Sequence, residues 1–465
     1  MTRPMGCPGT CIYCPTYEST PQSYTPESPA VFRARLCDYN PAEQVRLRLL
    51  TLEDMGHPTD KIELIIMGGT FLATPVEYQY YFIKECYDAL NGVASVSLEE
   101  AKRINETARH RCTGLCIETR PDWCGEKEVE RMLEFGTTRV ELGVQTLDDN
   151  IYRLVKRGHT VGDVAEATAR LRRYGLKIYY HWMPGLPGTS PEKDLELTRL
   201  MFNDQRFRPD GLKIYPTVVV EGTELQKWWE EGRYKPYDLP TMVDLTIHMK
   251  EIIPEYVRIA RVLRDIPSKF ILAGCIDSLR GIVKEKMAAM GKTCHCIRCR
   301  EYGHRLRDGY KPGEPVLVRR EYQAAGGDEV FLSFEDEQGT LFGLLRLRIQ
   351  MGSLFPAKNG TLVEEAGGIE PFSETHLLQE SSEMRTAIIR ELHVFGPELP
   401  LNTQDPSAAQ HRGFGRALLG EAERIVCCEY GLSEIFVLSG VGAKEYYRGE
   451  GYTDWGFYMR KILDT

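Results

Sequence analysis

The chain has little that would take it to a membrane or out of the cell. Nothing near the N-terminus has the form of a secretory leader, and no run reaches the roughly 18 apolar residues of a membrane span. The expectation is a soluble, cytoplasmic chain. There is no internal repeat and no long low-complexity tract, which sets aside repeat architectures. Excess positive charge is also lacking: the net charge of −9 taken alone argues against a nucleic-acid partner. At 465 residues the chain is too long for one ordinary core, so two or three domains are expected. Cysteine is not lacking. Of fourteen, three fall at Cys7, Cys11 and Cys14 and three at Cys294, Cys296 and Cys299, with the rest scattered, Cys427 and Cys428 side by side. Clusters at that spacing indicate metal sites and not a secreted disulfide framework.

Charge is uneven along the chain. Between Arg258 and Arg320 lie fifteen Lys/Arg against six Asp/Glu, which leaves 43 basic and 61 acidic residues elsewhere. On charge alone, a solvated linker and a phosphate-tracking surface explain that segment equally well.

Short β-rich runs at 61–71, 115–122, 138–146, 177–185 and 211–219 alternate with helical patterns such as 41–55 and 161–174, the second stopped by Gly175. The alternation implies parallel βα units, an open sheet or a barrel. The strands end in GGTF, ETRPD, GVQT, MPGLPG and YPT, and parallel barrels gather their active sites on that face. After about Arg264 the pattern changes, and from Val316 onward an α+β pattern begins, with residues 355–382 reading as an excursion loop. The expected fold is α/β: a partial TIM-like barrel over 1–267, a basic zinc-binding linker over 268–314 and an α+β domain over 315–465.

Three constellations carry chemistry. Cys7, Cys11 and Cys14 form CxxxCxxC, with Tyr13 just before the last cysteine. Three thiolates leave one iron of a four-iron four-sulfur cluster open to a cofactor; zinc with a distant fourth ligand is the competing assignment. Followed by a βα series with a GG turn, the loop resembles that of the radical S-adenosylmethionine (SAM) enzymes. That resemblance implies Gly68, Gly69 and Thr70 at the SAM amino group, Glu118 and Arg120 at its polar end, Gln145 at the ribose and Met183 near the adenine. The second constellation, CHCIRC, offers Cys294, Cys296 and Cys299 at a spacing suited to tetrahedral zinc, with His304 as the candidate fourth ligand and a structural role.

In the third, QHRGFGRALLGEAERIV, Gln410, Arg412, Gly413, Phe414 and Gly415 form a Q/RxxGxG/A turn ahead of an amphipathic helix, where backbone amides bind a pyrophosphate. A strand and GAKEYYRGEGY follow, with Tyr446 and Tyr447. That order resembles the GNAT acetyltransferases, which hold acetyl-CoA at the turn and set a late tyrosine near the CoA sulfur, where a phenol protonates a leaving thiolate. A core tyrosine pair explains one of the two equally well.

Taken together and in order, STPQSY, IMGGTF, IETRPD, ELGVQ, RGHT, DGLKIYPT, RDIP, IRELHVFG, GFGRALLGEAERI and SGVGAKEYY resemble the catalytic subunit family of Elongator, in its single-chain bacterial or archaeal form, over essentially the whole chain. The resemblance implies an enzyme that modifies the wobble uridine of transfer RNA. A SAM-derived radical would abstract hydrogen from the acetyl-CoA methyl, the carbon radical would add to carbon 5 of the uracil, and thioester hydrolysis would leave 5-carboxymethyluridine. Lys177, Lys213 and Tyr446 would assist acetyl-CoA handling between the domains. The expected partners are the transfer RNA anticodon stem-loop, acetyl-CoA and an electron donor. On this reading Arg258, Arg261, Arg264, Lys269, Arg280, Arg319 and Arg320, with Tyr302, Tyr310 and Tyr322 interleaved, track phosphates and stack on unpaired bases. The family pattern also sets a strand ahead of the cysteine loop and an RNA-binding extension ahead of that. Only six residues precede Cys7, so a truncated chain or a missing strand is expected.

Two other functions fit parts of the pattern. One is a lysine acetyltransferase with Glu391 as its base and the barrel as a regulatory module. The other is a non-catalytic RNA-binding scaffold stapled by metal clusters, which needs neither the GxG turn nor the GG motif.

Overall fold

The computed structural model describes residues 1–275, 278–354, 385–396 and 413–464. Its first sheet has six parallel strands in the order β1 (Lys61–Ile66), β2 (Arg111–Thr119), β3 (Thr137–Gln145), β4 (Lys177–Trp182), β5 (Gly211–Ile214) and β7 (Arg258–Val262). Helices separate successive strands, for example Val76–Asn91 after β1 and Val161–Arg173 after β3. Because spatial order follows chain order, repeated right-handed crossovers roll the sheet into a half-barrel with its helices outside. The edge strands β1 and β7 do not pair with each other. Local sequence explains the boundaries: Thr160 and Asp163 form a capping box at the start of Val161–Arg173, and Gly175 leaves that helix at φ 79°.

Beside the mouth of the half-barrel runs a two-stranded antiparallel ribbon, β6 (Val219–Val220) with β8 (Ile271–Ala273). The helices Leu279–Ala289, Ile297–Arg300 and Tyr302–Arg307 follow. The second sheet contains β9 (Val316–Ala324), β10 (Gly327–Glu335), β11 (Leu341–Met351), β12 (Arg385–Val394), β13 (Glu434–Val437), β14 (Thr453–Trp455) and β15 (Tyr458–Ile462), in the order β14-β15-β13-β12-β11-β10-β9. Its pairs are antiparallel except β12 with β13, which meet only at Ile388–Phe436 and Ile389–Val437. Helix Phe414–Arg424 covers this sheet through buried Leu418, Leu419 and Ala422.

The two sheets meet through buried charge. Arg390 grips both oxygens of Asp210 at 2.9 and 2.7 Å and reaches Glu329 at 2.8 Å; Arg172 and Arg348 donate to Glu329, each at 2.8 Å. Removing one partner from such a network leaves uncompensated buried charge, at a cost of about 3–5 kcal/mol. Asp210 immediately precedes β5, and Gly440 and Gly442 lie against the backbone at Thr113 and Arg111, at the start of β2. The second sheet therefore docks on the N-terminal ends of the barrel strands, leaving the C-terminal ends to the site described next. Among the described residues no helix is long and apolar enough to cross a membrane.

Candidate active site

The cysteine loop lies over the C-terminal ends of the barrel strands. It has no strand ahead of it among the described residues, and the chain secures it by other means. Thr2 donates its backbone amide to Met67 O at 2.8 Å and its hydroxyl to Gly68 O at 3.3 Å. Gly68 has φ 135°, and a Cβ there would collide with the Thr2 hydroxyl, so glycine admits this close pass. Further on, Ile12 N bonds Val155 O at 3.1 Å and Leu225 N bonds Ile12 O at 2.8 Å, while the Ile12 and Tyr13 side chains are buried in the core.

Cys7, Cys11 and Cys14 all line one cavity of about 150 Å³, together with Gly69, Thr70, Glu118, Arg120, Gln145 and Met183. Of the residues expected at a SAM site only Gly68 is not in this lining; it lies next to Gly69, against Thr2 of the N-terminal segment. Cys7 Sγ lies 3.5 Å from the Thr70 hydroxyl, and Arg157 Nη1 donates to Cys11 Sγ at 3.5 Å. Arg120 is held by Asp122 through Nε at 2.9 Å and Nη2 at 2.8 Å, which turns its Nη1 toward Gly9 in the cysteine loop. That Nη1 is buried without a partner, and so is Oε1 of Gln145, a residue in the left-handed region at φ 74°. Tyr13 Oη, Thr119 Oγ1 and Arg157 Nε, on other residues that line the cavity, are also without a partner, and because buried polar atoms are almost always paired, such a concentration points to a ligand. Glu118 is different: although it lines the cavity, its oxygens already accept from Lys213 at 3.0 Å and from Tyr24 at 3.1 Å.

Below the cavity the barrel bore is charged. Lys213 also contacts Glu141, whose further neighbours are His181 Nε2 at 3.0 Å and Arg139 Nε at 3.5 Å. Burial pulls the Lys213 ammonium down, but the carboxylates of Glu118 and Glu141 outweigh it and hold its pKa far above the lysine range. Lys177 does not join it. His181 stands opposite Lys213 in register, so Lys177 lies four residues lower on β4, about 13 Å away, and meets Glu391 at 3.3 Å. Of the two lysines expected to assist acetyl-CoA handling between the domains, Lys177 meets the second sheet and Lys213 lines the thiol cavity. Arg157, Glu141 and His181 had no assigned role in the sequence reading. Sequence spacing is the signal that finds two of them: Glu141 lies four residues before Gln145 on β3, and His181 two residues before Met183, just past the end of β4.

The second cysteine triad is built differently. The Sγ atoms of Cys294, Cys296 and Cys299 all lie within 4.8 Å of one another, and Ile297 N ties their loop to Val257 O, just ahead of β7, at 2.9 Å. Zinc–sulfur bonds of about 2.3 Å set tetrahedral thiolates about 3.8 Å apart, so this triad fits a single ion. His304 does not complete it. Its Nδ1 is 2.8 Å from Arg307 Nη2 and its Nε2 3.5 Å from Glu301, because the helix Tyr302–Arg307 turns that ring away from the thiols. Cys7, Cys11 and Cys14 form no such single-ion group among the described residues.

In the second sheet, Gly413 takes the left-handed conformation at φ 75° ahead of helix Phe414–Arg424. A Cβ on Gly415 would fall 2.8 Å from the Tyr446 hydroxyl, so Tyr446 stands over the glycine turn, partly exposed, its pKa pushed up to about 12 by burial. Tyr447 is buried against Tyr452, and Phe414 packs on Phe334, so the side chains of both belong to the core. Gln410, Arg412 and the stretch 355–382 lie outside the described residues. Burial pushes the Glu391 carboxyl up, but Lys177 and Arg346, the latter donating at 2.7 Å, hold it well below the carboxylate range. A carboxylate so stabilised is a poor base for an amine.

The basic segment is not one strip. Arg258 pairs with Glu301 at 3.0 Å, Arg261 with Asp265 and Lys269 with Glu27. Arg280 donates to Ile259 O at 3.2 Å, Arg319 pairs with Glu429 at 2.7 Å, and Arg320 with Glu335 and Glu255. Tyr322 is stacked on Tyr256 at 3.9 Å, Tyr302 packs on Phe342, and Tyr310 lies under Arg305. Folding has placed carboxylates against five of the seven expected cations, while Arg280 and Arg264 donate to oxygens of Ile259 and Ser23, and of the seven only Arg261 and Arg264 line the cavity.

Residues 2–201 match the model of the radical SAM superfamily, and residues 209–289 that of the Radical_SAM C-terminal domain. A tRNA uridine(34) acetyltransferase of Dehalococcoides mccartyi is 60% identical over 464 residues, covering 100% of this chain and 96% of its own. Elongator complex protein 3 of Homo sapiens is 40% identical over 477 residues, covering 100% of this chain and 83% of its own. Among solved structures, the archaeal Methanocaldococcus infernus Elp3 with an N-terminal deletion (1–46) superposes with a TM-score of 0.82 at 46% identity, over 92% of this chain and 97% of that one.

Proposed function

Because the chain belongs to the radical SAM superfamily and, within it, to the family of the tRNA uridine(34) acetyltransferases and Elongator complex protein 3, we propose that it places a carboxymethyl group on carbon 5 of the wobble uridine of a transfer RNA, both carbons coming from acetyl-CoA. The observation that carries this reading is the cavity where three thiols meet unsatisfied buried atoms, Gln145 Oε1 and Arg120 Nη1 among them. When bound, a four-iron four-sulfur cluster on Cys7, Cys11 and Cys14, with SAM at its open iron, supplies a radical able to take hydrogen from a methyl group. Arg157 and Arg120 balance the negative charge of the thiolates. The Gln145 carbonyl accepts from a ligand hydroxyl or amine, and Met183 gives the cavity an apolar wall.

We assign acetyl-CoA to the second sheet. Past Ile389, β12 loses its β13 partner, and the notch so formed adjoins Gly413, Gly415 and Tyr446. The first amides of helix Phe414–Arg424 meet the pyrophosphate there. Tyr446, neutral at physiological pH, donates a proton to the departing CoA thiolate. Glu391 on the same stretch of β12 meets Lys177 at the N-terminal end of β4, so notch and thiol cavity stand at opposite ends of the barrel strands. Zinc at Cys294, Cys296 and Cys299 pins the linker between the units 1–267 and 315–465. The lysine acetyltransferase alternative loses its base, because Glu391 is held as an anion between two cations.

The test is anaerobic reconstitution with iron and sulfide, followed by SAM, reductant, acetyl-CoA and transfer RNA, with nucleoside mass spectrometry. Carboxymethylated uridine that vanishes in Cys11→Ser is the expected result. Acetyl-lysine in place of modified uridine would favour the acetyltransferase.

A further inference from the structure

Eight arginines are buried among the described residues, and seven of them meet a carboxylate. Arg172, Arg346, Arg348 and Arg390 do so in the network between the sheets, and Arg120, Arg139 and Arg300 pair with Asp122, Glu63 and Glu335. Arg157 is the exception: among the described residues it forms no ion pair with a carboxylate. Its Nη1 donates to Cys11 Sγ at 3.5 Å, its Nη2 donates to Gly143 O, and its Nε is sealed without an acceptor. The backbone is shaped around this side chain. A Cβ on Gly143 would fall 2.7 Å from Nη2, so glycine there leaves room for the guanidinium. Arg157 N bonds Tyr152 O at 2.9 Å, and Val155 O accepts the Ile12 amide of the cysteine loop, so arginine and loop are tied to one turn. Taking a guanidinium out of water without an anion is strongly unfavourable. Of the acidic groups in the same cavity, the carboxylates of Glu118 and Asp265 are held by Lys213 and Arg261, and the phenols are neutral at physiological pH. That leaves the thiols, and Cys11 is the one Arg157 touches.

We propose that Arg157 is the counter-ion of Cys11 in the loaded protein and raises the reduction potential of the iron–sulfur cluster. The proposal rests on the reading of Cys7, Cys11 and Cys14 as the ligands of that cluster. Reduction adds one electron from the external donor and moves no proton, so a fixed positive charge and an N–H···S bond at one ligand both favour the reduced state. Arg120 also lies at the cysteine loop, but Asp122 offsets its charge. Arg157 is thus a positioning residue, acting through a ligand of the cluster and not on the substrate.

The experiment reconstitutes four proteins anaerobically with iron and sulfide, without SAM: the wild type, Arg157→Gln, Arg157→Lys and, as a control, Arg153→Ala, whose exposed side chain bonds Asn150. Electron paramagnetic resonance then reads the reduced fraction at a series of fixed potentials. At the wild-type midpoint the ratio of reduced to oxidised cluster is expected to fall about tenfold in Arg157→Gln, equivalent to about 59 mV for one electron. Arg157→Lys, which keeps the charge, should stay within about threefold, and Arg153→Ala should match the wild type. Thermal melting of the cluster-free proteins is the second measurement. Arg157→Gln should melt no lower than the wild type, because it removes a buried cation that has no carboxylate. An Arg157→Gln cluster with the wild-type ratio would overturn the proposal, and so would a cluster-free Arg157→Gln that melts several degrees lower, the mark of a structural arginine. Arg157→Gln that takes up no iron yet melts as the wild type does would support the counter-ion, since the cluster then requires it. A wild type that takes up no four-iron cluster would defeat the underlying reading of the thiols instead.

Discussion

The two cysteine triads contain the same three thiols and hold them differently. Cys294, Cys296 and Cys299 bring their sulfurs within 4.8 Å of one another, as ligands of one ion do. Cys7, Cys11 and Cys14 surround a cavity without converging, and their neighbours are Arg157 and Arg120, a cation at a thiol and an unsatisfied donor. The spread set suits a cluster that assigns each thiolate its own iron and leaves one iron free; the converged set suits a metal that closes a loop. On the proposed function the tighter triad is the structural one and the looser triad the reactive one.

The largest effect expected from this contrast is that of Cys11→Ser. It should abolish the visible absorbance of the reconstituted cluster and all uridine modification while leaving zinc, measured by metal analysis, in place. Cys296→Ser should do the reverse: zinc is lost, the melting temperature falls by several degrees, and cluster absorbance survives. Loss of both metals in either variant would mean that the triads are not independent. A smaller effect is expected for Gln145→Ala, which removes one hydrogen bond worth about 0.5–1.5 kcal/mol and should weaken SAM binding by about 2–10-fold without changing either metal content. The smallest belongs to His304→Ala. Zinc content should match the wild type, whereas a clear loss would restore that histidine as a ligand.

Much of this was legible in the residues themselves. Five of the six barrel strands follow from apolar runs closed by polar tails; β7 does not, because RIARV alternates arginine with apolar residues at the start of the basic segment. The cavity residues were legible because a parallel barrel sends each strand's polar end to one face. The pairing of the basic segment was not. Arg319 and Arg320 look free in the chain, yet their partners Glu429 and Glu255 lie 110 and 65 residues away. His304 has the right distance from Cys299 in sequence, but on the helix Tyr302–Arg307 its ring meets Arg307 and Glu301 instead of joining the three thiols.

What joins the two halves of the molecule is the claim that carbon from acetyl-CoA reaches the nucleoside. The most direct measurement is the mass of the modified uridine after turnover with acetyl-CoA labelled with carbon-13 at both acetyl carbons. A product heavier by both labels is expected. A modified uridine without label, or label recovered only on lysine, would contradict it.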